Sequence, residues 1–289
     1  MNREIAFDRS AEDVGNIIKL EHVNLTVPDQ GQATLFYESG LGLPRDPYLM
    51  TGVDNMWINV GASQFHLPTR PPPQLLRGCV GLVIPDRGAL IERLHAVRQR
   101  LTGTRFDFAE HDDCVEATCP WGNRVRCHAP DPTRFGAMTL GMPYVELNVP
   151  RDSAAAIAEF YREVFMAPAR VVHAEGESVA IIAVGATQEL RFRELAGAPA
   201  AYDGHHIQIY VADFSRPYER LKERGLITEE SDQHQYRFLD IVDPRDNAVK
   251  FTIEHEVRST RHPLYARPLV NRNPAQSNRS YMPGHDAWR

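Results

Sequence analysis

The chain has 289 residues, 43% of them hydrophobic, and a formal net charge of −6. That length and apolar content can fill one large core or two medium ones, and the scattered Lys and Arg residues give no electrostatic reason to invoke nucleic acid or an anionic membrane. No apolar run reaches about 18 residues and the first residues carry no apolar signal-like stretch, so the expectation is a cytoplasmic protein acting on a small molecule, with a homodimer as one possible state.

In chain order, "EHVNLTVPD" (21–29) reads as a strand, and "ATLFYESGLGL" (33–43) follows with apolar residues at three- and four-residue steps, as in a helix. "WINVGASQFHL" (57–67) then reads as two strands with a turn at Gly61. The second quarter varies the theme. "CVGLVIPD" (79–86) is a strand, "LIERLHAVRQRL" (90–101) a helix, and "CPWGNRVRC" (119–127) a tight turn before a closing strand.

The third quarter repeats the first. "PYVELNVPRD" (143–152) matches 21–29 without a gap, "AAAIAEFYREVFMA" (154–167) is the helix, and "VAIIAVGATQELRF" (179–192) aligns Gly185-Ala186 with Gly61-Ala62. The fourth repeats the second, with "HIQIYVAD" (206–213), "PYERLKERGL" (217–226) and "DPRDNAVKF" (243–251). The chain is thus β-α-β-β-β four times, near 18–68, 78–129, 141–195 and 203–257, joined by connectors rich in Pro, Gly and Ala. Cys79, Cys114, Cys119 and Cys127 match no zinc or CxxC spacing, and reduced, partly buried thiols are expected.

This order of units resembles the vicinal oxygen chelate superfamily, which includes glyoxalase I, the fosfomycin-resistance proteins and the type I extradiol dioxygenases. The resemblance implies an α+β fold of four βαβββ units forming two curled eight-stranded mixed sheets, over domains at 1–135 and 136–257 and a tail at 258–289. It implies a divalent metal held by the first and last strands of paired units. The first-strand position falls at His22, Cys79, Tyr144 and His206, and the last-strand position at His66, Arg126, Leu190 and Lys250. Arg126 and Lys250 are cationic and would repel a divalent ion.

The candidates fall in the outer quarters. His22 and His66 belong to the first unit and His206 to the fourth, so pairing one with four would gather the histidines, as in some four-unit glyoxalases. A carboxylate is still wanted beside two or three imidazoles for Fe(II), Mn, Ni or Zn. Glu254 is the expected ligand or base, with Glu146, whose strand face also carries Tyr144, as its rival. Arg126, Lys250, Gln208 and Asn24 are expected to contact substrate. The resulting expectation is a metal-dependent enzyme, leaning to an Fe(II)-type dioxygenase, with a glyoxalase-type lyase or isomerase, or a metal-free binding protein, as alternatives.

From Glu254 onward the sequence is Pro-rich, basic and without periodicity, and it cannot build a core of its own. Leu264, Tyr265, Leu269 and Val270 suggest a strap laid over the body or against another subunit, or a lid over a substrate.

Overall fold

A computed structural model describes residues 8–267 and 269, apart from 48, 50–53, 175 and 198. Unit one comprises β1 (Ile17–Asn24), a helix α1 (Gln30–Ala33) that continues in wider π geometry over Thr34–Gly40, β2 (Asn55–Val60) and β3 (Ser63–Pro68). Unit two has β4 (Gly78–Val83), α2 (Arg87–Arg98), β5 (Asp107–Glu110), β6 (Val115–Thr118) and β7 (Arg124–His128). A short helix α3 (Pro132–Phe135) leads to unit three, which has β8 (Gly141–Pro150), α4 (Ala154–Phe165), β9 (Ala169–Ala174), β10 (Glu177–Ala183) and β11 (Glu189–Leu195). Unit four has β12 (His206–Val211), α5 (Ser215–Glu223), β13 (Ile227–Asp232), β14 (Gln235–Val242) and β15 (Val249–Ser259).

Local chemistry explains the boundaries. Asp29 and Asp86 cap α1 and α2 by accepting from the backbone N–H of Gln32 and Ala89 at 3.0 and 2.9 Å. Gly61 turns β2 into β3 at φ 61°, and a Cβ there would lie 2.2 Å from the Leu140 carbonyl oxygen. In α4, Ile157, Phe160, Tyr161, Val164 and Phe165 are all buried, so helical spacing turns one face wholly inward. Each of its aromatic side chains contributes about 2–3 kcal/mol by leaving water.

The sheets do not follow the halves of the chain. One has seven strands among the described residues, in the order β13-β14-β15-β12-β1-β3-β2, and combines units four and one. The other has eight, in the order β5-β6-β7-β4-β8-β11-β10-β9, and combines units two and three. A boundary at 135/136 therefore runs between two units that share a sheet. Two eight-stranded sheets were expected. In unit one the segment before β2 contributes only an isolated bridge, Arg45 to Ile58, where the other units have a strand.

The unit-four sheet presents two chemically different faces. On β15, Ile253, His255 and Val257 turn towards the helices, and His255 meets the Tyr161 hydroxyl of α4 at 2.6 Å. By strand alternation Glu254, Glu256 and Arg258 turn the other way. That second face carries the site.

Candidate metal centre

The two central strands build the site. β1 and β12 run antiparallel with His22 opposite Gln208 and Asn24 opposite His206. Parallel neighbours extend the row, His66 of β3 lying beside Asn24 and Glu256 of β15 beside Gln208. A local dyad therefore relates His22 to His206 and His66 to Glu256. Ligating atoms of His22, His206 and Glu256 all lie within 4.8 Å of one another. The His22 ring stands 5.8 Å from those of both His66 and His206.

A β-bulge sharpens the aim of His22. The β1–β12 register shifts between Leu20 and His22, leaving Glu21 as the extra residue, so Glu21 can turn towards its neighbour. His22 Nδ1 donates to Glu21 at 2.8 Å, and Nε2 is buried without a hydrogen-bond partner. A carboxylate holding one ring nitrogen while the other faces a cluster of donors is the arrangement that orients a metal-binding imidazole. Burial alone would raise the Glu21 carboxyl, but the His22 hydrogen bond and the nearby His22, Lys19 and Arg258 hold it well below the usual carboxylate range.

The remaining donors are poised for a cation. Burial, then the neighbouring His22, pushes His66 and His206 well below the ordinary histidine range, so both stay neutral. Glu256 is 3% exposed, and Arg258, His22 and Arg237 overcome its burial and keep it ionised. Arg237 donates to Glu254 at 2.5 Å and to Glu256 at 2.6 Å, while Arg258 lies 2.5 Å from the other Glu256 oxygen. Three carboxylates, Glu21, Glu254 and Glu256, face three cations, Arg237, Arg258 and Lys19. The orphaned Nε2, the neutral imidazoles and the ionised Glu256 fit a divalent ion.

The expected residues separate into two groups. His22, His206, Asn24 and Gln208 meet on one face, and both amide atoms of the fully buried Gln208 lack partners. His66 joins this face but stands beside the cluster. Its Nε2 donates to Asn55 at 2.7 Å, its Nδ1 accepts from Asn24 at 2.6 Å, and its ring stacks on Trp57 at 3.8 Å.

Glu254 is displaced from the expected role. It sits beside His206, 3.5 Å from Nδ1, but its carboxylate pairs with Arg237, and Glu256 supplies the clustered oxygen instead. Lys250 lies further back on β15, 3.6 Å from Asp243. Tyr144, Glu146 and Arg126 lie in the other sheet altogether, so they cannot serve the histidines. Alignment on the turn before the closing strand puts Lys250 at the last-strand position, whereas matching "QFHL" (64–67) with "EHEV" (254–257) puts Glu256 there.

The strap crosses this region. Leu264 forms a small apolar cluster with Leu49 and Trp57, and Trp57 also meets the His22 ring edge-on at 5.1 Å. Tyr265 packs on Tyr210 at 4.9 Å, and Arg267 donates to the buried Asp46 at 2.9 Å. Gln64 donates to Asp46 at 3.0 Å, which ties the strap back to β3. Val270 and the residues after it lie outside the described residues.

The sequence matches no protein-family model, and no curated protein matches it in sequence. Solved structures do resemble it. Glyoxalase I from Zea mays superposes with a TM-score of 0.57 at 12% identity, over 83% of this chain and 92% of that one. A candidate dioxygenase from Bacillus subtilis gives 0.57 at 11% identity, over 92% and 90%. The chain has the vicinal oxygen chelate fold. Within that fold, all four cysteines are buried free thiols, and no helix among the described residues is long and apolar enough to cross a membrane.

Proposed function

We propose that this vicinal oxygen chelate protein is a metal-dependent enzyme whose centre is His22, His206 and Glu256, with His66 packed beside it. The convergence of those three side chains around the orphaned His22 Nε2 carries the reading. Two histidines and one carboxylate are the protein ligands of non-haem Fe(II) oxygenases, which favours dioxygenase-type chemistry on a small oxygen-bearing substrate. A divalent ion held there would supply Lewis-acid polarisation of neighbouring substrate oxygens.

The chain's own residues do the rest. Glu21 fixes the His22 ring, and the unpartnered Gln208 amide, donor and acceptor, is available to orient a substrate oxygen. Trp57 and the strap exclude water from the buried centre. Glu254, tied to Arg237, helps hold His206 in place.

One observation favours a second reading, a metal-free binding protein. Arg237 and Arg258 already pair with Glu256 without an ion. Metal analysis of protein purified without chelator separates the two. Near-stoichiometric metal that falls in His22→Ala and Glu256→Gln supports the enzyme, whereas less than about a tenth of an equivalent, unchanged in both variants, overturns it. Iron as the retained ion, giving a nitrosyl spectroscopic signal on exposure to nitric oxide, would favour dioxygenase over glyoxalase-type lyase chemistry.

A further inference from the structure

The sheet of units two and three repeats the register of the histidine site with different chemistry. Cys79 lies opposite Glu146 and Gly81 opposite Tyr144, as His22 lies opposite Gln208 and Asn24 opposite His206. Arg126 lies beside Gly81 and Arg191 beside Glu146, as His66 lies beside Asn24 and Glu256 beside Gln208. The positions of His22, His206, His66 and Glu256 are therefore held by Cys79, Tyr144, Arg126 and Arg191. Two potential donors have become guanidinium groups. That exchange reverses the sign of the ion the position can hold.

A cavity of about 430 Å³ opens at this place. Arg124, Arg126, Arg134, Arg191 and Arg193 line it with Asp113, Glu116 and Glu146, and Arg191 and Arg193 also pair with Glu189 and Glu177. The carboxylates are internal counter-ions that set the arginines in position. Glu146, 5% exposed, holds both forks of Arg193 at 3.1 Å and lies 3.7 Å from Arg126. Glu116 accepts from Arg126 at 2.9 Å and reaches Arg124 only at 3.8 Å, so most of the Arg124 donors are uncommitted. Arg191 lies over the Tyr144 ring at 3.9 Å, and Glu189 holds its Nε and Nη2 at 2.8 and 2.7 Å.

The floor carries no competing negative charge from its other groups. His128 Nδ1 donates to the Asp113 carbonyl at 3.0 Å, so its Nε2 accepts a hydrogen bond from the Tyr144 hydroxyl at 2.9 Å and the phenol stays neutral. Burial pushes the Cys79 thiol up to about 11. Gly81 leaves room for this arrangement, since a Cβ there would lie 2.3 Å from the Tyr144 ring.

We propose that this second cup is an anion site, taking a small organic molecule that carries a multiply charged oxyanion group, a phosphate ester or paired carboxylates, on Arg124, Arg126 and Arg191. Guanidinium forks match the oxygen spacing of both groups, and the cavity has the size of a small-molecule pocket. The proposal is independent of what the histidine site holds.

Calorimetric titration of the whole chain at low ionic strength with inorganic phosphate, and separately with malonate, tests it. The expected result is one-to-one binding of at least one of the two, weakened about tenfold or more in Arg126→Gln and Arg191→Gln, weakened by added salt, and unchanged in His22→Ala. Preference for phosphate assigns the ester, and preference for malonate the dicarboxylate. No binding of either probe overturns the proposal, as does equal binding in the arginine variants, which would mark an adventitious ion only. If Arg126→Gln or Arg191→Gln fails to fold, the half-exposed Arg124→Gln decides, because unchanged affinity there also overturns the assignment.

Discussion

The two sheets of this molecule share one register and hold opposite chemistry. At equivalent positions one carries His22, His66, His206 and Glu256 around an orphaned imidazole nitrogen, and the other carries Cys79, Arg126, Tyr144 and Arg191 around an arginine-lined cavity. The backbone scaffold is thus indifferent to what it presents. Pairing register brings four strand positions together, and substitution at those positions alone sets whether the cup suits a cation or an anion.

The largest effect should come from the buried carboxylate at the centre of each network. Glu256→Gln leaves Arg237 and Arg258 without their shared counter-charge and should destabilise the fold by about 3–5 kcal/mol in urea unfolding. Glu146→Gln should cost about 1–3 kcal/mol, because its partners Arg126 and Arg193 are 33% and 25% exposed and water screens them. Equal losses would break the distinction between a sealed and an open cup.

The strap marks the next difference, since its described residues pack on Trp57, Tyr210 and Asp46 of the histidine sheet's units. Leu264→Ala removes its contact with Leu49 and Trp57 and should loosen the segment by about 1–3 kcal/mol, read as faster hydrogen exchange over 260–267. Exchange elsewhere, around β7 and β11, should not change.

Acid should act on the same segment. Burial, with Arg258 nearby, pushes His262 down to about 4, and its Nδ1 accepts the Leu264 N–H at 3.1 Å. Its native form therefore binds a proton less readily than the released strap, whose histidine titrates near 6.5. The strap's attachment is complete above that value and weakens as pH falls from about 6.5 towards 4. Hydrogen exchange at several pH values checks this, and His262→Gln should flatten the response.

Lys250→Met should have the smallest effect. Its contact with Asp243 lies away from both cups, so stability should change by less than about 0.5 kcal/mol and metal content not at all. A loss of bound metal in that variant would return Lys250 to the site.

Much of this was legible in the residues. The fourfold β-α-β-β-β order, the unit limits and the outward distribution of histidines follow from short-range periodicity and internal repetition, which survive in a single sequence. The paired histidines His22 and His206 sit on first strands whose alignment has no gap. Glu256 was harder to find, because β15 runs from Val249 to Ser259 and its register against β12 depends on pairing, not on the Asp243–Ala248 turn that precedes it. The Glu21 bulge left no sequence signal, since an extra residue in one strand exists only relative to its partner.

Repetition along the chain determined what the units are, because strand and helix periods are local properties of the residues that form them. Tertiary structure decided which units share a sheet, which of Glu254 and Glu256 meets the histidines, and where the aperiodic strap comes to rest. Each of those depends on hydrogen bonds and packing between residues far apart in sequence, as when Arg267 reaches Asp46 or His22 pairs with Gln208. Such contacts become definite only when the sheets close and exclude water from between them.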